Sequence, residues 1–186
     1  MGTLPPASLF RGRNWESDMA DETPTDAIAL LKADHRTVEN LFASFESAKD
    51  SGRKETLAKQ ICTELKIHAM IEEEIFYPAL DGKIEDDLLK EAYVEHDGAK
   101  VLINDIEAGA PSDEFYDAKV KVLSEEIEHH VKEEEAPSEG MFAKAREAGV
   151  DLVALRDAML ARKQELMAQA ETEGLPPAKL TAVETA

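Results

Sequence analysis

Four histidines and two glutamates in this sequence have the types and the spacing of metal ligands. They are His35, His68, Glu72, His96, His130 and Glu134. The pairs His68–Glu72 and His130–Glu134 are each four residues apart, so on a helix both side chains of a pair project from one face, one turn apart. Imidazole and carboxylate groups without a thiolate suit iron, and also manganese or zinc. The pattern therefore predicts a metal site that joins several helices.

The candidate ligands lie on the apolar faces of predicted helices. Each histidine falls in a series of apolar residues spaced alternately by three and four, as His35 does between Leu31 and Val38. One buried histidine alone is usually satisfied by a hydrogen bond or two. Four of them together with two inward glutamates would cost several kcal/mol for each unpaired buried charge. A compensating cation is therefore expected between the helices.

The ligand pattern occurs twice along the chain. His35 precedes His68 by 33 residues, His96 precedes His130 by 34, and an acidic residue comes directly before the first histidine of each pair. Two helical hairpins with equivalent ligands indicate a pseudo-twofold site for two metal ions, each bound by two histidines and bridged by the glutamates. Six ligands cannot fill two octahedral shells, so positions should remain open for water or another small ligand.

The ordered set H…HxxxE…H…HxxxE resembles the hemerythrin-like, or HHE cation-binding, domain family. The resemblance covers about residues 25–148, and the matching segments are Ala33-Asp34-His35, His68–Glu72 with its continuation to Pro78, Glu95-His96-Asp97 and His129–Glu135. It implies a four-helix bundle around two non-haem iron ions joined by an oxo or hydroxo bridge, with the six residues above as ligands. It also implies a protein that binds, stores or senses oxygen, handles iron, or responds to nitric oxide or peroxide.

This chain departs from the family pattern in two ways. The last HxxxE runs into Ala136-Pro137 and later Gly140 rather than a Phe-Pro end, so the fourth helix should end early and leave the Glu134 half of the site looser. The oxygen carriers of the family bind one iron through three histidines, and here a fifth inward histidine is missing. A small-ligand sensor or iron-handling protein is therefore favoured over an oxygen carrier. It is also favoured over an enzyme, because a ligand set rich in histidine and poor in carboxylate suits binding better than oxidation. A di-iron redox enzyme with peroxidase- or oxidase-like activity is the alternative.

The remaining histidine, His129, lies one position off the apolar stripe of its helix. It forms a second i, i+4 pair with Glu133, so a site shifted by one residue is an alternative. The apolar phase favours His130, which leaves His129 exposed or acting as a hydrogen-bond donor beside the site.

Other polar side chains near the candidate ligands are predicted to surround the site or to pack in the bundle. Tyr77 is predicted to pack at the end of the bundle, and Tyr93, close before His96 in the sequence, to lie at the edge of the core. Glu73 and Glu135 are expected to be solvated or to surround the ligands.

Helix-forming residues dominate the middle of the chain, and Gly and Pro divide it. We predict bundle helices over about 26–50, 53–77, 85–108 and 113–135. The second is closed by Pro78 and Asp81-Gly82, and further helical segments follow from about 142 and over 151–171. Short connections make neighbouring helices antiparallel. The predicted fold is all-α: an up-down-up-down four-helix bundle over residues 25–148 with an additional C-terminal helix.

The segments outside the bundle receive separate predictions. Residues 149–172 should form a helix that packs on the bundle or on a partner, and residues 173–186 a flexible tail. Residues 1–24 are read as a flexible N-terminal extension. Because an ordinary start appears at Met19, residues 1–18 are either an upstream extension or a start-site artefact.

Composition narrows the partners of the protein. The 186 residues include 40 acidic and 21 basic ones, a formal charge of −19, which argues against nucleic acid and anionic membrane surfaces because both are bound by clustered Lys and Arg. No stretch approaches the roughly 18–20 apolar residues that cross a bilayer, and no signal-peptide pattern begins the chain. One cysteine, Cys62, excludes an internal disulfide and a four-cysteine zinc site. These features predict a cytoplasmic protein that is a monomer or homodimer. A small diatomic molecule or peroxide as its ligand is what the family resemblance implies.

Overall fold

The structure is a computed structural model and describes residues 23–183. Helices make up most of this part of the chain. In chain order they are α1 Ala27–Ser47, α2 Ser51–Ile71, a π-helical turn Glu72–Phe76, α3 Tyr77–Leu80, α4 Asp86–Ala108, α5 Tyr116–Glu134, α6 Met141–Glu147 and α7 Leu152–Thr172. No strand occurs within residues 23–183, and the all-α prediction is confirmed. The predicted extension over residues 1–24 falls almost wholly outside the described residues.

Aspartate caps decide where the first two helices begin. The Asp26 carboxylate accepts the backbone N–H of Ala29 at 2.8 Å, and the Asp50 carboxylate accepts that of Arg53 at 2.8 Å. The Asp50 cap also corrects one predicted boundary. The first helix was expected to end at Ser51-Gly52, but α1 ends at Ser47 and these two residues open α2.

The four bundle helices are α1, α2 with α3, α4 and α5, and their apolar faces form two core clusters. One cluster includes Leu31 and Ala92, and the other includes Val38 and Ala99. Along α1, His35 lies between Leu31 and Val38, and along α4 His96 lies between Ala92 and Ala99. The candidate ligands therefore occupy a polar layer between two apolar ends of the bundle.

The second bundle helix continues past Pro78 and ends at Leu80, directly before Asp81-Gly82. Through the π turn, α2 runs directly into α3, and Pro78 is the second residue of α3. Proline is tolerated there because the first turn of a helix needs no donor from its own backbone nitrogen. The π turn thus restarts the helix and lets it accept a proline.

The C-terminal region packs on the bundle. Helix α7 lies against α1, α2 and the π turn and buries Met159 and Leu166 in the first core cluster. The segment after it has no helix, yet the Asn104 side chain donates to the carbonyl of Ala178 at 2.9 Å and accepts its N–H at 2.7 Å. The expectation of a loose tail does not account for these contacts. Within residues 23–183, no helix is long and apolar enough to span a membrane.

Candidate metal centre

The structure brings together all six residues singled out by their spacing. Their exposed fractions are 3% for His35, 7% for His68, 0% for Glu72, 4% for His96, 4% for His130 and 2% for Glu134. The Nε2 atoms of His35 and His68 are 3.2 Å apart, as are those of His96 and His130. The imidazoles thus form two pairs, one from the α1–α2 hairpin and one from the α4–α5 hairpin.

Each glutamate faces one histidine of its own hairpin and one of the other. Glu72 Oε2 lies 3.2 Å from His68 Nε2 and 3.3 Å from His96 Nε2. Glu134 Oε2 lies 3.4 Å from His35 Nε2 and 3.6 Å from His130 Nε2. The two carboxylates are therefore placed to bridge between the histidine pairs.

The donor set fits a pair of cations. Glu72 Oε1 and Glu134 Oε2 are buried without a hydrogen-bond partner in the described part of the chain, which is costly for carboxylate oxygens unless a cation compensates. Metal–ligand bonds of about 2.1 Å at angles of about 90–110° place neighbouring donor atoms about 3.0–3.4 Å apart. The separations of 3.2–3.6 Å between the donor atoms here lie close to that range.

Negative charge in the site makes two of the histidines hold protons. Burial alone would lower the pKa of His68, but Glu72 and Asp34 outweigh it and raise the value to about 10. Burial is likewise outweighed at His96, where Glu72 and Glu73 raise the pKa to about 9. Burial would raise the pKa of Glu72, yet the facing histidines hold it well below its usual range. A cation that enters the site must therefore displace protons from imidazoles.

An outer carboxylate faces the Nδ1 atom of every candidate histidine ligand. The pairs are Glu135–His35 at 2.8 Å, Glu73–His96 at 2.9 Å, Glu95–His130 at 2.7 Å and Asp34–His68 at 3.6 Å. In the first three pairs the Nδ1–H donates to the carboxylate, which fixes the ring and leaves Nε2 for a metal. The Asp34–His68 distance is longer than a hydrogen bond, and this pair is an electrostatic contact. Glu73 and Glu135, expected in the sequence to be solvated or to surround the ligands, surround them. All four carboxylates are direct chain neighbours of ligands, which is the signal that identifies them.

Tyr77 belongs to the site, and its place there was missed. Its hydroxyl lies 3.2 Å from His96 Nε2, 3.4 Å from Glu72 Oε2 and 3.2 Å from Glu134 Oε1. In the π turn the N–H of Tyr77 donates to the carbonyl of Glu72, five residues earlier, so Tyr77 lies over Glu72. Burial and the charges of Glu134 and Glu72 raise the pKa of Tyr77 well above its usual value. Tyr93 packs edge-on against the Tyr77 ring, with centroids 5.3 Å apart.

His129 lies on the surface and not with the other histidines. It is 64% exposed, and its Nε2 lies 3.1 Å from Glu133 Oε1 and 3.6 Å from Glu95 Oε1. These three side chains converge within 4.8 Å, but all are partly or largely exposed. The register that the apolar phase favoured, with His130 inward, is the one found in the structure.

The turn after α5 folds tightly against the end of that helix. Glu134 is the last residue of α5, as the early end predicted from the sequence requires. A Cβ atom on Gly140 would lie 2.6 Å from the carbonyl oxygens of Glu133 and Glu134, so only glycine allows this approach. The turn leads into α6, where the Phe142 ring stacks on His35 at 5.8 Å between centroids.

A small cavity adjoins the histidines. Its volume is about 30 Å³. Among the residues that line it are the four candidate histidines and the apolar side chains of Val38, Leu65, Ala99, Ile103 and Ile127. A space of this size holds roughly one or two water-sized molecules. The cavity therefore offers room for a small molecule next to the imidazoles.

Comparisons with known proteins agree with this geometry. Residues 26–145 match the hemerythrin HHE cation binding domain. A protein of Nostoc sp. strain PCC 7120 named a DNA nickase is 30% identical over 120 residues, 64% of this chain but only 33% of that protein. A solved hemerythrin HHE cation binding domain-containing protein from Mycobacterium kansasii, a homologue of Rv2633c, has a TM-score of 0.66 at 24% identity, over 81% of this chain and 95% of its own. The latter likeness concerns the fold.

Proposed function

This chain belongs to the hemerythrin HHE cation-binding domain family, and from that premise we propose that it binds two iron ions and, beside them, a small ligand. His35 and His68 would hold one ion, His96 and His130 the other, and Glu72 and Glu134 would bridge. Iron in such a site supplies open coordination positions and a change of oxidation state. The function we favour is binding or sensing of oxygen, nitric oxide or peroxide, or the handling of iron.

The observation that carries this proposal is the convergence of four imidazole Nε2 atoms with two buried glutamates, each of which has one carboxylate oxygen without a hydrogen-bond partner in the described part of the chain. Glu72 Oε1 and Glu134 Oε2 lack hydrogen-bond partners among residues 23–183, while the imidazole Nδ1 atoms face outward to other carboxylates. A purely structural histidine layer would satisfy its acceptors within the protein. Here the four Nε2 atoms converge with Glu72 Oε2 and Glu134 Oε2, and a cation would lie among them.

Metal content separates this proposal from a metal-free bundle. We expect about two irons per chain after anaerobic reconstitution, with a loss in His130→Ala and none in His129→Ala. The two residues are adjacent on α5, but one is 4% exposed and the other has a 64% exposed side chain, so the second variant is a matched control. Absence of bound iron in the unchanged protein would contradict the proposal.

The cavity supports a small ligand and suggests a second test. Val38 lines the cavity, so Val38→Ile should fill most of its volume of about 30 Å³ and weaken nitric oxide binding to the iron-loaded protein without lowering its iron content. Val101→Ile is the control, because Val101 is 45% exposed on α4. Equal nitric oxide binding by the two variants, measured by absorption titration, would argue against ligand binding in this cavity.

The Tyr77 hydroxyl favours a redox enzyme as the second candidate function. It is hydrogen-bonded among three ligand atoms and keeps its proton, so it could donate that proton to a bound oxygen species. Catalytic consumption of hydrogen peroxide by the iron-loaded protein, reduced in Tyr77→Phe at equal iron content, would favour this alternative. A stable adduct without turnover would favour binding or sensing.

The activity named for the Nostoc relative is not extended to this chain. The match covers about a third of that protein, and the formal charge of −19 opposes contact with a phosphate backbone, which Lys and Arg side chains neutralise in DNA-binding proteins.

A further inference from the structure

Two side chains from the C-terminal region reach the outer carboxylates of the centre. Both lie beyond residues 26–145, the part that matches the family. Lys163 on α7 forms an ion pair with Asp34, the carboxylate that faces His68. Thr181 donates its hydroxyl hydrogen to Glu73 Oε2 at 3.0 Å, and Glu73 accepts the Nδ1–H of His96.

The segment that carries Thr181 is anchored by a buried aspartate. The Asp97 carboxylate, 0% exposed, accepts the backbone N–H groups of Thr181 at 2.9 Å, Ala182 at 2.6 Å and Val183 at 2.7 Å. Lys100 joins the two carboxylates, with Nζ 2.7 Å from Glu73 Oε1 and 3.0 Å from Asp97 Oδ1. Asp97 directly follows the candidate ligand His96, so the segment is fixed beside the site.

In the other half of the pseudo-twofold site, the outer carboxylate is held in a different way. There, Glu135 is held by Arg36 at 2.6 Å, and Arg36 follows His35 just as Asp97 follows His96. Arg36 also pairs with Glu39 three residues later, whereas Asp97 pairs with Lys100 three residues later. The charges of this pair are thus exchanged between the halves. Asp97 cannot bind an outer carboxylate as Arg36 does. Glu73 is held instead by Lys100, and Thr181 of the C-terminal segment adds a second donor to the same carboxylate.

The contacts of Lys163 and Thr181 both act on histidines that face Glu72. His68 and His96, the two histidines whose outer carboxylates the C-terminal region holds, are also the two that face Glu72 Oε2. His35 and His130 face Glu134. The outer carboxylate of His35, Glu135, is held by Arg36, and that of His130, Glu95, lies near His129. Within residues 23–183, the contacts of the C-terminal region with the outer carboxylates therefore lie on the Glu72 side of the centre.

We infer that residues 152–183 are a working part of the metal centre, in which Lys163 and Thr181 are positioning residues for His68 and His96 through Asp34 and Glu73. The inference rests on the proposed metal-binding function. Loss of either contact removes one of the groups that orient the carboxylate, although Glu73 keeps its ion pair with Lys100. The facing imidazole is then held less firmly and its metal is released faster. Removal of an outer partner typically costs about 10–100-fold in metal affinity. For groups one contact further out we expect about threefold to tenfold.

The test uses the full chain loaded with Co²⁺, whose unpaired electrons shift the proton resonances of ligand histidines. Four exchangeable, strongly shifted Nδ1–H signals are expected. Thr181→Val should move or broaden one signal and Lys163→Met a different one, with Co²⁺ transfer to a chelator about threefold to tenfold faster. Thr181→Ser keeps the hydroxyl and should restore the first signal.

A control on the same segment distinguishes positioning from a general loss of stability. Thr172→Val removes an exposed hydroxyl that bonds only within its own helix and should leave all four signals in place. If Thr181→Val and Lys163→Met also leave the four signals and the release rate unchanged, the positioning role is wrong although the metal site stands. If the unchanged protein binds neither Co²⁺ nor iron, the proposed function fails and this inference with it.

Discussion

Metal binding by this protein should release protons, and the structure indicates how many. In the metal-free site the pKa of His68 is raised to about 10 and that of His96 to about 9. At pH 7.5 both imidazoles are therefore almost entirely protonated, whereas a metal ligand must be neutral. Loading the site with two divalent ions displaces both protons. The combined affinity should then fall roughly tenfold per displaced proton for each unit decrease in pH below about 9.

The number of released protons can be measured by anaerobic titration calorimetry with Fe²⁺ at pH 7.5. The observed heat depends on the ionisation enthalpy of the buffer, and the slope across several buffers gives the protons released per chain, which we expect to be about two. Glu73→Gln removes a charge that raises the pKa of His96, so the slope should fall towards one. Heat that does not vary with the buffer would refute the reasoning, because it would mean that the histidines are already neutral before metal binds.

Further substitutions and conditions test the packing around the site. Gly140→Ala should lower the free energy of urea unfolding by about 1–3 kcal/mol, because the added Cβ would lie 2.6 Å from three backbone atoms. Gly98→Ala in α4 is the control. The nearest atom to its added Cβ lies at 3.7 Å, so this change should be neutral or stabilising. Phe142→Ala removes the ring stacked on His35 and should cost about 3–5 kcal/mol. The rise in Tm on metal loading should be larger at pH 8.5 than at pH 6.5. The protons on His68 and His96 stabilise the metal-free fold fully below pH 6.5, and this contribution is lost as pH rises through about 9 and 10.

The bundle and the inner ligands could be predicted because both depend on local periodicity. A period of three and four places His35 between Leu31 and Val38 on an apolar face whatever the rest of the chain does. The same phase distinguishes His130 from His129, and the structure places them as the phase indicated, one buried and one with a 64% exposed side chain.

The features that could not be predicted from the sequence depend on irregular or long-range geometry. Tyr77 reaches the site only because the π turn aligns residues five apart, and an α-helical period assigns it to another face. The contact of Thr181 with Glu73 joins residues 108 positions apart, and no local pattern shows such a pairing. The proline expected to close the second helix is accepted because the same π turn restarts it.

The most direct test of the central claim is anomalous diffraction at the iron edge from crystals of the reconstituted protein. The account predicts two anomalous peaks inside the bundle, each about 2.1 Å from two imidazole Nε2 atoms, one beside His35 and His68 and the other beside His96 and His130. A single peak at the exposed cluster of Glu95, His129 and Glu133, or no peak in protein that contains iron in solution, would contradict it.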